Sequence, residues 1–179
     1  MPYPYSLDDY VCDLREYLYK NSIVKPHVIA HSFGGRIVLK STPYDLFDKI
    51  VLTGSAGLKP RFSVKKTAKK ATFNILKRFI PKEKLSAFYS KDYLNLSPIM
   101  KESFKLIIGE NLDYILPQID NPTLIINGKN DRETPPYTAK RFARNIKNSK
   151  LIFLEDAGHF CFIDRGSKFN WEVREFLLH

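Results

Sequence analysis

The sequence predicts an α/β protein with a mostly parallel sheet of about four strands, and three observations predict it. Four apolar runs, at 27–31, 49–54, 122–127 and 150–154, have the length and composition of buried strands. Segments between and after them carry apolar residues at helical spacing. Three residues able to do catalytic chemistry, Ser32, Asp131 and His159, each fall just beyond the C-terminal end of one such run. An open parallel sheet gathers its functional residues at that end.

The first strand is Val28-Ile29-Ala30, and Ser32 closes it. Ala30 stands two residues before the serine and Gly34 two after, and a helix pattern succeeds them with Ile37, Val38 and Leu39. A sharp strand-to-helix turn needs small flanks, because larger side chains would collide with the tight backbone. Such a turn lifts the Ser32 hydroxyl clear of the sheet and aims N–H groups from the helix start at the same point. The plainer reading is a Gly-rich turn with a solvated serine. The second strand, Lys49 to Gly54, runs into Ser55-Ala56-Gly57 with no carboxylate.

An insertion over 59–117 reads as helical. Val64, Ala68, Ala71, Ile75 and Phe79 share one helical face, with lysines on the other, and Pro81 ends that helix. Pro98 and Pro117 punctuate the rest of the insertion, around a further helix near 99–108. The third strand is Thr123 to Ile126. Gly128 ends it, Asp131 sits in the loop beyond, and Thr134-Pro135-Pro136 opens a helix with proline in its first turn. The fourth strand, Leu151 to Leu154, ends in an acidic turn where His159 comes directly after Gly158. A last helix ends in Trp171-Glu172-Val173-Arg174-Glu175-Phe176-Leu177.

A serine hydroxyl is a weak nucleophile that needs a base, and the base needs an orienting acid. Asp131 and His159 are the candidates. Taken singly, Asp131 reads as a turn or capping aspartate and His159 as a loop histidine. Together, in the order Ser, Asp, His and each after its own strand, they form a constellation. Asp156 lies close before His159 and reads as the cap of that turn. His31 adjoins the serine, with its side chain expected to point away from it. His27 and His179 receive no role.

The serine turn resembles the nucleophile elbow of the α/β-hydrolase family, with Ala30 in place of the first glycine. The resemblance runs from Tyr5-Ser6-Leu7-Asp8-Asp9-Tyr10, similar to the helix before the nucleophile strand, to the final helix. It implies helices on both faces of the sheet, a partial core over 1–58 and 118–179, and a helical cap over 59–117. It implies Ser32 as nucleophile, His159 as base, Asp131 as the acid that orients it, and the backbone N–H of Phe33 in the oxyanion hole. Some members carry the acid after the second of these strands; this chain has none there. His31 and Phe160 are expected at the substrate pocket. The implied activity is hydrolysis of a small or medium carboxylic ester, without cofactor or metal. C–C bond hydrolases, haloperoxidase-like members and lipases would use the same residues.

The resemblance also implies an omission. The family sheet has eight strands, and the chain begins about where a full-length relative has completed four. The segment that donates the second oxyanion N–H is not recognisable, and one missing donor costs about 100- to 1,000-fold in rate. The strand at 27–31 is expected to lack a neighbour on one side. Another chain, or the Met1–Ser6 segment, would cover that edge. An impaired fragment, or one partner of a two-chain assembly, is therefore the rival reading.

Composition limits the alternatives. Of 179 residues, 44% are hydrophobic, with no apolar run of membrane-spanning length. Two cysteines, Cys12 and Cys161, suit free thiols in a reducing, cytoplasmic setting. The net charge of +10 is uneven: residues 59–91 hold eleven Lys or Arg and one acid, and the remainder is balanced. That basic stretch could meet an anionic membrane or substrate, or be a solvated face. Nucleic-acid binding is disfavoured, because neither a binding fold nor an aromatic platform accompanies the charge.

Overall fold

The structure, a computed structural model, describes residues 3–59 and 95–179. The helix expected over 64–79, Pro81, and the basic stretch apart from Lys59 lie outside the described residues. The described elements run in the order α1 (Leu7–Lys20), β1 (Val28–His31), α2 (Phe33–Ser41), β2 (Ile50–Thr53), α3 (Pro98–Gly109), β3 (Thr123–Gly128), α4 (Pro136–Asn145), β4 (Ser149–Leu154), α5 (Cys161–Asp164) and α6 (Gly166–Leu178). Two short 3-10 turns, Thr42–Tyr44 and Leu116–Gln118, join them.

All four expected strands form, and they pair in parallel in the order β1-β2-β3-β4. The register sets Val28 against Ile50, Ile50 against Thr123 and Thr123 against Ser149. The central strands, β2 and β3, are buried at every position, as expected of a parallel sheet covered on both faces. Alternate residues divide into two cores. Ile50, Leu52 and Ile125 pack with Leu7, Leu18, Leu39 and Phe142 from α1, α2 and α4. Val51, Leu124 and Ile126 pack with Cys161, Phe169 and Val173 from α5 and α6. The sheet is thus sandwiched between two helical layers.

Local chemistry starts the helices. Ser6 caps α1 and accepts from Asp9 N, while Asp9 Oδ2 accepts from Ser6 N at 2.7 Å, a reciprocal pair that satisfies two helix-end donors. Those bonds from the Ser6 side chain and backbone hold the Asp9 carboxyl below its ordinary range. Ser97 caps α3, with Pro98 at its first position. The end of α3 is tied to α2: Arg36 Nη1 donates to Ile107 O at 3.0 Å and Glu110 O at 2.9 Å, and Lys40 Nζ meets Glu110 Oε1 at 2.6 Å.

β1 has one strand neighbour, β2, among the described residues. Two covers are expected for its free edge, another chain or the Met1–Ser6 segment, and of that segment residues 3–6 are described. Residues 3–6 make no backbone hydrogen bond to β1. Tyr5 N instead donates to Ser103 Oγ of α3 at 2.8 Å, and Tyr3, Tyr5 and Tyr10 form a chain of ring contacts ending on Phe33. These contacts tie the segment to α1, α3 and the first residue of α2. No described helix is long and apolar enough to cross a membrane.

Candidate active site

Ser32 stands between β1 and α2 with φ 49° and ψ −110°. A residue with a Cβ is strained in this backbone region, so it persists only where the surroundings fix it. Here they do. Ser32 N donates to Thr53 O at 3.2 Å, and Ser32 O accepts from Gly35 N and Ala56 N, both at 3.1 Å. The helix starts directly after the serine, so the N–H of Phe33 has no acceptor one turn earlier and remains available.

Asp131 is 3% exposed and its carboxylate accepts four bonds. Oδ1 takes the N–H groups of Glu133 and Thr134, each at 2.9 Å, which folds the loop back on itself. Oδ2 takes Thr134 Oγ1 at 2.7 Å and His159 Nδ1 at 3.0 Å. A carboxylate can only accept, so the Nδ1 proton belongs to His159, and the neutral ring then carries its lone pair on Nε2. The approach of the His159 loop depends on Gly128: a Cβ there would lie 2.2 Å from Gly158 O and 2.3 Å from Ala157 O, both backbone atoms.

Asp131 and His159 are therefore joined. Ser32 is one residue from His31, whose ring centroid lies 4.6 Å from that of His159. No hydrogen bond links Ser32 to His159 among the described residues. The Nε2 atom instead faces Glu133 Oε2 at 3.4 Å. A carboxylate bonds that nitrogen only while the ring carries both protons.

Ser32 opens into a cavity of about 350 Å³, walled by Phe33 and Arg36, by Tyr10 of α1 and by the apolar face of α3. His31 and Phe160, expected at the pocket, are not among its lining residues. His31 Nε2 lies 3.1 Å from His159 O, and the rings of both His31 and Phe160 pack around His159. Alternation along β1 sends the His31 side chain to the imidazole side of the turn rather than to the cavity. Asp156 is corrected too: Asp164 Oδ2 accepts from Gly158 N at 2.7 Å, while Asp156 pairs with Arg165. Beneath the site, Cys161 is fully buried with Sγ 3.2 Å from Thr53 Oγ1, and burial pushes its thiol pKa up.

Sequence reasoning misses Glu133 and Arg36. Glu133 reads as loop charge until the turn pinned by Asp131 brings it to the imidazole. Arg36 carries a legible signal, since it stands four residues after Ser32 and so on the same helical face. Among the described residues, no cluster of three or more His, Cys, Asp or Glu could hold a metal ion.

The comparisons with known proteins agree with this architecture. Pimeloyl-[acyl-carrier protein] methyl ester esterase of Neisseria meningitidis is 33% identical over 64 residues, 36% of this chain and 25% of that protein. 2-Hydroxy-6-oxononadienedioate/2-hydroxy-6-oxononatrienedioate hydrolase 1 of Pseudomonas putida is 33% identical over 84 residues, 44% of this chain and 30% of that protein. The chain thus spans under a third of the length of these curated relatives. An esterase from Exiguobacterium antarcticum superposes with TM-score 0.72 at 22% identity, covering 97% of this chain and 74% of that one, a likeness of fold. The sequence profile of the alpha/beta hydrolase family matches residues 1–170, nearly the whole length, and on that match the chain belongs to the alpha/beta hydrolase family.

Proposed function

We propose that this chain is a serine hydrolase acting on small or medium carboxylic esters. The observation that carries the proposal is the buried Asp131–His159 pair, its imidazole packed on His31, whose next residue is a serine held in strained backbone at a helix N-terminus. In the proposed reaction the Ser32 hydroxyl adds to the acyl carbonyl carbon while His159 Nε2 takes its proton. Charge developing on the carbonyl oxygen is met by the N–H of Phe33. Collapse of this intermediate breaks the C–O bond, and the alcohol leaves with the proton from His159. Water, deprotonated by the same nitrogen, then cleaves the acyl-Ser32 ester and frees the acid. Asp131 keeps the ring in the required tautomer and offsets its charge once it is protonated. No cofactor enters this scheme. The names of the neisserial and Exiguobacterium relatives, both esterases, support the reaction class.

The test is turnover of p-nitrophenyl acetate and butyrate at matched folded concentration. Ser32→Ala falls to the buffer background, and Asp131→Asn loses about 10⁴-fold in kcat, because the amide no longer enforces the tautomer. Equal rates for wild type and Ser32→Ala would end the proposal.

A second reading, a chain with the family fold but impaired turnover, is favoured by Glu133. Its carboxylate Oε2 lies 3.4 Å from the nitrogen that Ser32 requires. If Glu133 competes for Nε2, Glu133→Gln raises kcat in the same assay. The gain is at most about fivefold, because a pair with one partner this exposed contributes about 0–1 kcal/mol. An unchanged or lower kcat shows that Glu133 does not compete.

A further inference from the structure

The cavity beside Ser32 has one formal charge among its described lining residues, the guanidinium of Arg36. The rest of the wall is apolar apart from the hydroxyls of Ser32, Ser103 and Tyr10. The Arg36 contacts are lopsided. Both protons of Nη1 go to neutral carbonyls, Ile107 O and Glu110 O. The N–H of Nε and the two of Nη2 have no acceptor among the described residues. Among those residues no carboxylate pairs with Arg36, whereas Arg141 pairs with Asp113 and Arg165 with Asp156. The nearest candidate, Glu110, gives its carboxylate to Lys40. Burial pulls the guanidinium pKa down and the charge of Glu110 opposes this, but an arginine keeps its proton in either case.

The position of this charge relative to the nucleophile is fixed by helix geometry. Ser32 caps α2 and Arg36 lies one turn along it, about 6 Å in axial rise and on the same face. The cavity that holds both Ser32 and Arg36 is also walled by Met100, Phe104, Ile107 and Ile108 of α3, so an acyl chain on Ser32 shares it with apolar side chains and a cation. Pockets of this kind orient ligands with a few placed polar groups in an apolar wall. A planar guanidinium with a free edge matches a carboxylate.

Building on the esterase reading above, we propose that Arg36 is a carboxylate subsite and that the substrate is a monoester of a short aliphatic dicarboxylic acid. The scissile carbonyl sits at Ser32, the spacer lies on the α3 wall, and the free carboxylate pairs with the outer edge of Arg36. The inner edge holds α3 in place, so one side chain both shapes the cavity and selects the ligand.

The experiment compares monomethyl adipate with methyl hexanoate, esters of similar length with and without the second carboxylate, monitored by pH-stat. Wild type prefers monomethyl adipate by about tenfold in kcat/KM, the range of a charge-assisted bond. Arg36→Met abolishes the preference, and Arg36→Lys keeps part of it, since charge remains and the fork is lost. A readout without turnover uses Ser32→Ala and titration calorimetry. Adipate binds more tightly than hexanoate, and the double variant with Arg36→Met reverses that order. Thermal melts establish that each variant is folded, and if Arg36→Met is not, the Arg36→Lys ratio and the calorimetry on Ser32→Ala carry the test. Wild-type preference for the neutral ester, an equal loss on both esters in Arg36→Met, or no adipate preference in Ser32→Ala overturns the proposal. If wild type cleaves neither ester while Ser32→Ala still prefers adipate, the esterase reading fails and the subsite stands.

Discussion

At the residue scale, the nucleophile turn depends on a glycine other than those its motif first brings to notice. A Cβ on Gly34 would meet Ala30 Cβ at 3.8 Å, an ordinary contact, which is why Ala30 is tolerated where the family carries glycine. A Cβ on Gly35 would lie 2.5 Å from Ser55 Oγ and 2.7 Å from Ser55 Cβ. Ser55 is itself buried with no hydrogen-bond partner for its hydroxyl among the described residues, so it is tightly held without being bonded. Gly35→Ala is therefore expected to destabilise the fold by about 1–3 kcal/mol through overpacking. Gly34→Ala is neutral or slightly stabilising, because alanine favours the helix by about 1 kcal/mol. Ser55→Gly in the Gly35→Ala background removes both clashing atoms and recovers part of the loss. Urea unfolding of the four proteins checks this, and equal midpoints for the two alanine variants would show that the contact at Ser55 yields at no cost.

At the scale of elements, most of the fold is legible because its strands are short apolar runs, the central β2 and β3 buried at every position, and such runs declare themselves without alternation. The helices are legible where a face repeats, and less so where glycine interrupts it. The α2 pattern becomes visible at Ile37, yet the helix begins at Phe33, because Gly34 and Gly35 carry no apolar signal and weak helical preference. The order of Ser32, Asp131 and His159 is readable because each comes after a strand whose end the parallel topology gathers. The groups around them are not readable in that way. Glu133 reaches the imidazole through a turn made by Asp131 itself, and Arg36 meets the carbonyls that end α3. Periodicity shows that a helix has an apolar face but not which helix end will lie beside an arginine seventy residues away in sequence. The surroundings of His31 and Phe160 are unreadable for a related reason. His31 and Phe160 are close to the site in sequence, but packing places them around His159 instead of along the cavity.

At the scale of the whole molecule, the described sheet is covered by helices on both faces and ends in β1 at one edge and β4 at the other. On one face, α6 covers Val51, Leu124 and Ile126, but Ile29 of β1 is still 52% exposed. Val28 N donates to Lys49 O and Ser32 N to Thr53 O, so the alternation of a parallel ladder turns the backbone groups of Ile29 and His31 outward. An edge whose outward backbone groups have no partner among the described residues, with a half-exposed isoleucine, is a template for pairing with another strand. The 179-residue chain is expected to self-associate through β1, with a weight-average mass that rises with concentration in sedimentation equilibrium. Ile29→Lys should lower that association, since a charge at an edge disfavours pairing while the exposed position spares the core. The charge balance does not oppose assembly at this edge, because the described strands carry few ionic groups and the excess lysines fall in 59–91. A monomer mass for wild type across the concentration range, or equal association in wild type and Ile29→Lys, would show that the open edge is not where copies of this chain meet.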